Sequence, residues 1–372
     1  MSLSSGFTRS EYMTQFQFYR TLWYGALRKT LTTPAGLFLL PFSSWFSASR
    51  PSTIRLPRLP EGFTYSVDSG AYRYRHGGYP YQPLDYMRWC QALRPPPQWV
   101  VMPDWFGQQP GPYKFPTRSL NADMYGQHPE SSDTEPLTSH LLFLADLYAA
   151  KFHLRSATRI QQIRTSLMAY TLWDHYRDAV VCWVPVVQGN RCSDYIWHTQ
   201  VLLPLIEEMQ AYYGNDSAFR VGIGALAGHT PREIVEIVTA VAALLPCGVG
   251  VHLFAVKQQD FEWFPACLPC SLPLLSVDSA QWNGQRIRGT KPGKKAWQES
   301  GLKQLEYGYL RALPAYEAKL QAAWKRVQQL SALPPPKLEK DPELERFLET
   351  FLLLREVSKL TYQGHPDMLI EL

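Results

Sequence analysis

The chain has 372 residues, of which 45% are hydrophobic, so it can bury either one barrel of about 250 residues with extensions or two domains. The charge balance, 37 Lys and Arg against 32 Asp and Glu, gives a net charge of +5, which suits a polyanionic partner without identifying one. Six scattered cysteines favour reduced thiols over a disulfide framework. No apolar run is long enough to span a bilayer, so we expect a cytoplasmic protein with no membrane association.

Residues 1–50 are rich in aromatic and basic side chains and are predicted to form an N-terminal extension. Within it, Phe16, Tyr19 and Leu22 lie near helical spacing, which predicts an amphipathic helix over 12–31. Such a helix would cover one end of the core. A nucleic-acid-binding arm is the alternative.

Residues 51–290 alternate between apolar runs and helical patterns. The six apolar runs are 63–68, 98–104, 180–187, 219–226, 248–256 and 274–278. Each run is almost continuously apolar, as in parallel strands that are buried on both faces of a sheet. We therefore predict a (β/α)8 TIM-like barrel over 51–290, followed by a helical C-terminal region over 291–372. A doubly wound sheet is the alternative, but no strand is followed by a Gly-x-Gly-x-x-Gly turn.

The predicted strands end in polar or small residues: Asp68, Asp104, Gln188, Gly224 and Asp278. In a βα-barrel these ends share one rim, where active sites are built. The two Val-Asp-Ser units are far apart in the sequence, but they would bring two carboxylates to that rim. The alternative interpretation of each aspartate is a cap for the helix that follows it.

The order of these strand ends resembles the tRNA-guanine transglycosylase superfamily, whose barrel exchanges guanine for a 7-deazaguanine. The resemblance covers about residues 60–290. Its motifs are Ser66-Val-Asp-Ser-Gly70, Met102-Pro-Asp104, Pro185-Val-Val-Gln-Gly189, Gly222-Ile-Gly-Ala-Leu-Ala227, Val249-Gly-Val-His-Leu-Phe254 and Asp278-Ser-Ala-Gln-Trp282.

The resemblance implies that Asp278 is the nucleophile and Asp68 the general acid and base. It also implies that Asp104, Gln188 and Gly189 bind the base. The backbone near Gly224 and Ala225 would contact the base as well, because glycine lets the main chain approach closely. A carboxylate would accept hydrogen bonds from a guanine-like edge, whereas the Gln188 amide would donate to it. Trp105 and Tyr72 are candidates for stacking on the base or for packing. His76 is a further candidate for substrate contact.

The sequence departs from the family at the zinc site, because no cysteine follows Cys270. Cys267 and Cys270 have half of a zinc-ligand spacing but precede Asp278, so a buried structural pair is favoured over a metal site. We expect no cofactor for the chemistry. In lacking the zinc motif, the chain resembles the DNA-acting, DpdA-like members of the superfamily. Those members insert 7-cyano-7-deazaguanine into DNA.

Two basic stretches are candidates for phosphate binding. The first is a predicted helix face with Lys151, Arg155 and Arg159. The second follows the Asp278 strand and consists of Arg286, Arg288, Lys291, Lys294 and Lys295. The expected partners are DNA, a 7-deazaguanine base and other DNA-modification proteins. The alternatives are a tRNA-acting enzyme without the zinc site, a non-catalytic scaffold barrel of the same superfamily and a glycoside hydrolase, which would not need Asp104 and Gln188 together.

Overall fold

The structure is a computed structural model. It describes residues 15–21, 36–44, 56, 59, 61–71, 83–105, 145, 150–151, 156–180, 182–214, 219–256, 274–279, 313–327 and 342–362.

A single parallel sheet of nine strands forms the centre of the described chain. The strands are β1 (Gln15–Thr21), β2 (Leu37–Pro41), β3 (Thr64–Asp68), β4 (Val100–Val101), β5 (Trp183–Val184), β6 (Val186–Val187), β7 (Arg220–Ile223), β8 (Gly250–Leu253) and β9 (Leu274–Ser279). Their order is β5-β4-β3-β2-β1-β9-β8-β7-β6, and every pair is parallel.

The sheet is a nearly closed barrel, because only Pro185 separates its two outer strands, β5 and β6, in the sequence. Proline has no backbone N–H and interrupts a strand at this position. If β5 and β6 are counted as one interrupted strand, the nine strands become eight, consecutive around the barrel. This arrangement is compatible with the predicted (β/α)8 barrel.

The sheet begins earlier in the chain than the sequence analysis placed it. The helix predicted over 12–31 is wrong for 15–21, where β1 pairs with β2 on one side and β9 on the other. Residues 15–21 read Gln-Phe-Gln-Phe-Tyr-Arg-Thr, an alternation with the period of a strand. The two strands missing from the six predicted are thus β1 and β2, which lie inside the segment assigned to an N-terminal extension.

Six α-helices are described: α1 (Pro83–Ala92), α2 (Ala157–Tyr176), α3 (Cys192–Tyr213), α4 (Pro231–Leu244), α5 (Leu313–Val327) and α6 (Pro342–Tyr362). The motif Thr230-Pro-Arg-Glu233 predicts a helix start with Thr at the N-cap and Pro at N1. α4 begins there, and Thr230 and Glu233 form a reciprocal capping box with Pro231 in the first turn. Among the described residues, no helix combines the length and the apolar character that a bilayer span requires.

Two apolar clusters lie on opposite faces of the sheet. The smaller one fills the barrel interior and consists of Tyr19, Leu39, Trp99, Val101, Val184 and Val186. The larger one packs the outer face of the strands against the helices. α6 is joined to this outer layer by Arg355, which donates to Asp174 of α2 and to Glu208 of α3.

Candidate functional site at the carboxyl ends of the strands

Asp278 lies near the end of β9 and is 7% exposed. The Thr21 hydroxyl at the end of β1 donates to Oδ2 over 2.8 Å, and the Ala255 backbone N–H donates to Oδ1 over 2.9 Å. The His252 Nε2 atom lies 3.6 Å from Oδ1. Two donors on separate strand ends therefore fix the carboxylate in place.

Asp68 ends β3 and is only partly exposed. Burial, and next the negative charge of Asp278, raise the pKa of Asp68 from 3.8 to about 7, although the backbone N–H groups of Gly70 and Ser69 act in the opposite direction. Gly70 permits this turn, since its φ is +81° and a Cβ would lie 2.7 Å from the Ser43 Cβ. Asp68 can therefore hold or release a proton near neutral pH.

Asp104 follows β4 and is 6% exposed. Burial, and next the charge of Asp68, raise its pKa from 3.8 to about 7, while the Ser69 hydroxyl donates to Oδ1 over 3.2 Å. The charge of Asp278 thus acts on the pKa of Asp68, and the charge of Asp68 acts on the pKa of Asp104. The three predicted strand-end carboxylates are therefore near one another, and a neighbouring carboxylate contributes to the raised pKa of Asp68 and of Asp104.

Gln188 follows β6 and is completely buried. Its Nε2 donates to the Trp105 carbonyl and, over 2.9 Å, to the Thr165 hydroxyl. Its Oε1 has no hydrogen-bond partner among the described residues. Exchanging the two amide atoms would place oxygen against the Trp105 carbonyl, so this orientation is the favourable one. The amide donors are already used, and the acceptor is the atom left for a ligand.

The backbone of Gln188 is held by its neighbours on α2 and α3. Its N–H donates over 3.0 Å to His198 Nδ1, and Gln162 Nε2 donates to its carbonyl. Burial lowers the pKa of His198 to about 3, so the imidazole is neutral. Because Nδ1 accepts, the proton is on Nε2, which lies 3.2 Å from the Ser166 hydroxyl.

The small residues predicted to approach a base are engaged with protein groups. A Cβ on Gly189 would come within 2.5 Å of the Asp194 Cβ, so this glycine allows close packing against α3. The Gly224 N–H donates to the Val187 carbonyl, and its own carbonyl accepts from the Tyr195 hydroxyl. Ala225 has a φ of 60°, a left-handed conformation that turns the chain away from β7.

Gly224 also adjoins the carboxylate of Asp104. A Cβ at Gly224 would lie 3.8 Å from Asp104 Oδ2, so the carboxylate approaches the main chain itself. Gly222 plays a comparable part for Phe254, whose ring would be 2.6 Å from an added Cβ. Gly222 in β7 and Gly224 directly after it therefore leave room at the mouth of the barrel for groups from neighbouring strands.

Several predicted residues lie outside the described part of the chain: Tyr72, His76, Arg155, Cys267, Cys270, Arg286, Arg288, Lys291, Lys294 and Lys295. Trp105 is 6% exposed and packs in the outer core, which favours the packing interpretation over stacking. Arg159 lies in α2, whose N-cap, Ser156, is extended, so it does not share one continuous helix with Lys151. Its guanidinium lies 4.2 Å from the Trp197 ring centre and 3.7 Å from Asp194.

Three residues next to the carboxylates were not predicted from the sequence: Thr21, Ser69 and His252. Thr21 could have been found from the alternation in 15–21, which places Gln17, Tyr19 and Thr21 on one face of β1. Ser69 stands directly after Asp68 in the Asp-Ser-Gly motif. No local signal distinguishes His252 from a core histidine, because its role depends on its distance from Asp278.

Within the described residues, no group of three or more His, Cys, Asp or Glu side chains is arranged to hold a metal ion. No protein-family model matches the sequence, and no curated protein matches it.

Proposed function

We propose that this protein is a base-exchange transglycosylase that replaces guanine in DNA with a 7-deazaguanine, 7-cyano-7-deazaguanine being the expected base, through a covalent aspartyl intermediate. The observation that carries the proposal is the environment of three carboxyl groups at one end of the sheet. Asp278 receives two hydrogen bonds at its carboxylate, whereas burial and a neighbouring charge raise the pKa of Asp68 and Asp104 to about 7.

Different environments suit different roles for chemically identical groups. The hydrogen bonds to Asp278 hold its carboxylate in one position at the strand ends, as a nucleophile requires. A carboxyl group with a pKa near 7 is matched to proton transfer at neutral pH, and Asp68 meets that condition beside Asp278. The geometry thus supports the two roles that the family resemblance assigns.

In the first step, an oxygen of Asp278 bonds to C1′ of the nucleotide while the bond from C1′ to guanine N9 breaks. The electron pair leaves with the base, and protonated Asp68 supplies a proton to the departing guanine. Of the two carboxylate oxygens, Oδ2 has one described donor, Thr21, whereas Oδ1 faces both Ala255 and His252. We therefore assign the attack to Oδ2.

In the second step, the incoming 7-deazaguanine gives its N9 proton to ionised Asp68 and attacks C1′. The ester bond to Asp278 breaks, and the aspartate leaves as a carboxylate. The proton lost by Asp68 in the first step is regained in the second, so one enzyme cycle balances without a cofactor.

Asp104 and Gln188 are proposed to read the base. A carboxylate at Asp104 accepts hydrogen bonds from ring and amino N–H groups, and its raised pKa means that such donors would favour ionisation on binding. Gln188 Oε1, which has no hydrogen-bond partner in the described part of the chain, would accept a further N–H if the strand end opens to a ligand. This reverses the donor role expected from the sequence, because both amide hydrogens of Gln188 already have acceptors.

The preference for DNA over tRNA rests on the sequence, which has no cysteine after Cys270 to build the zinc site of the tRNA-acting members. A tRNA-acting enzyme without zinc is the second candidate. Burying carboxyl groups side by side destabilises the fold. A catalytically idle scaffold would gain nothing from this arrangement, so that alternative is disfavoured.

The test is mass spectrometry of nucleosides from DNA and tRNA of cells that express the chain and are supplied with 7-cyano-7-deazaguanine. We expect a 7-deazaguanine deoxynucleoside in DNA. The product should disappear with Asp278→Ala and with Asp68→Ala, and Asp278→Ala should also abolish covalent trapping of nucleic acid on denaturing gels.

Glu207→Gln is the matched control, because Glu207 is an exposed carboxylate of α3 and is not one of the proposed site residues. The modified nucleoside in tRNA alone would favour the second candidate. Full activity of either aspartate variant would overturn the role assigned to that residue, and no product in either nucleic acid from a folded protein would contradict the proposal.

A further inference from the structure

A buried polar chain runs through the barrel interior beneath Asp278. It comprises Arg220 of β7, His252 of β8 and Ser276 of β9, which are at most 1% exposed. The strand register places His252 beside Gly222 on one side and Ser276 on the other. Such groups are costly to bury unless they are hydrogen-bonded to one another.

A continuous series of contacts connects the Arg220 guanidinium to the Asp278 carboxylate. Arg220 Nη1 donates over 3.0 Å to the Ser276 hydroxyl oxygen, which lies 3.0 Å from His252 Nδ1. The other imidazole nitrogen, Nε2, lies 3.6 Å from Asp278 Oδ1. Arg220 is itself held by Gln17 Oε1 at 3.1 Å and by the Tyr19 and Trp99 rings.

Only two arrangements of protons fit these contacts if the imidazole is neutral. In the first, the Ser276 hydroxyl donates to the Val251 carbonyl at 3.2 Å, and His252 Nδ1–H donates to Ser276. The lone pair of Nε2 would then face the lone pairs of Asp278 Oδ1, which is repulsive. In the second, Ser276 donates to Nδ1, and Nε2–H points at Oδ1. Every donor then faces an acceptor.

Protonation of both nitrogens is the third possible state of His252. Burial lowers the pKa of His252, and the Arg220 charge acts in the same direction, against the opposing influence of Asp278. The choice is therefore between the two neutral tautomers. Among the described residues, the charged groups around the imidazole are Arg220 on one side and Asp278 on the other, with Asp68 next to Asp278.

We propose that His252 is a positioning residue for Asp278: its neutral Nε2–H tautomer, fixed by Ser276 and Arg220, directs an N–H at Oδ1 and leaves Oδ2 for the substrate. The separation of 3.6 Å exceeds a hydrogen bond, and a small shift of the carboxylate closes it.

The consequence for the reaction rests on the proposed function. When Oδ2 is bonded to C1′, Oδ1 becomes the carbonyl oxygen of the ester. The Ala255 N–H and the His252 Nε2–H then stabilise the negative charge that returns to the carboxylate as the ester bond breaks. Removing the imidazole donor should therefore slow release of the covalent complex more than its formation.

Two amide substitutions separate the contacts of the two imidazole nitrogens. Gln places an amide nitrogen near the position of Nε2, so His252→Gln keeps the donor toward Asp278. Asn is shorter and reaches only the position of Nδ1, so His252→Asn keeps the contact with Ser276 and loses the donor. If His252 only stabilised the fold, His252→Asn would not slow release of the covalent complex more than His252→Gln.

The first readout needs no substrate. Imidazole 15N and 1H correlation spectra of the whole protein, with the His252 signals identified by their loss in His252→Gln, should show a neutral Nε2–H tautomer between about pH 6 and pH 8. An Nδ1–H tautomer or an imidazolium over this range would overturn the proposal, whether or not the protein is a transglycosylase.

The second readout is the release of a preformed covalent complex on a guanine-containing DNA oligonucleotide, chased with 7-cyano-7-deazaguanine. We expect His252→Asn to slow the chase about 10- to 100-fold, as for a lost hydrogen bond to a charged group, and His252→Gln to remain within about threefold of the unsubstituted chain. Equal slowing in both folded variants would overturn the proposal. If the unsubstituted chain forms no covalent complex, the proposed function fails, and the tautomer alone decides the inference.

Discussion

The raised pKa of Asp68 makes a prediction about stability that does not depend on the reaction. The folded state keeps a proton on Asp68 up to a pH of about 7, whereas the unfolded chain releases it near 3.8. Between these values the folded state binds more protons, so this residue destabilises the fold increasingly as the pH rises. Replacing Asp68 with Asn removes the ionisable group while keeping the size and an oxygen acceptor for the backbone N–H groups of Ser69 and Gly70.

The magnitude follows from the shift in pKa. An increase from 3.8 to about 7 corresponds to at most about 4 kcal/mol above pH 7, which the partial exposure of Asp68 reduces to about 2–4 kcal/mol. Near pH 5 most of that penalty is absent. The advantage of Asp68→Asn near pH 8 should therefore exceed its advantage near pH 5 by about 1–3 kcal/mol.

Thermal melts of the two proteins, followed by tryptophan fluorescence, measure this difference. For a chain of 372 residues the unfolding entropy is about 0.8 kcal/mol/K, so the melting temperature of Asp68→Asn should gain about 1–4 °C more near pH 8 than near pH 5. Glu207→Gln makes the same chemical change on an exposed helix position and should leave the melting temperature nearly unchanged at both pH values. The same gain for Asp68→Asn at both pH values would refute the raised pKa, and with it the basis for proton transfer by Asp68.

Gly189→Ala should cost about 1–3 kcal/mol in urea unfolding, because the new Cβ would lie 2.5 Å from the Asp194 Cβ; an unchanged midpoint would contradict this packing. Arg355→Leu should cost about 3 kcal/mol, since Arg355 joins α6 to carboxylates of α2 and α3, while Arg232→Leu, in an exposed pair, should cost less than about 1 kcal/mol. His198→Asn should reduce the loss of stability on acidification. Burial lowers the pKa of His198 from 6.5 to about 3, so between these values only the unfolded chain takes up the proton. This uptake lowers the free energy of unfolding by about 2 kcal/mol near pH 5. Melting temperatures near pH 5 and pH 7 test this, and an unchanged acid dependence would show that His198 does not cause it.

The sequence identified the strand ends well and the start of the chain badly. Asp68, Asp104 and Asp278 each terminate a largely apolar run, and parallel strands necessarily deliver such residues to one edge. The structure has these carboxylates near one another, as their electrostatic coupling shows. In contrast, the apolar side chains of Phe16, Tyr19 and Leu22 imitate helical spacing, and the pairing of β1 with β2 and β9 decides for a strand.

The hydrogen-bond direction at Gln188 could not be predicted either. A free glutamine both donates and accepts, so its type alone leaves both roles open. The Trp105 carbonyl and the Thr165 hydroxyl use its donors only because α2 packs against the strand end. Similarly, Gly189 and Gly224 are read from the sequence as places of close approach, but which group approaches is a property of the packing.

The sequence by itself determined the alternation of strands and helices, the capped start of α4 and the carboxylates at the ends of the strands. These features depend on local periodicity, caps and residue type, which each segment carries independently. Only the tertiary structure decided that residues 15–21 and 37–41 belong to the sheet and that Thr21 and His252 stand beside Asp278. Those relations join separate segments of the chain, as distant as Thr21 and Asp278, and no local pattern contains them.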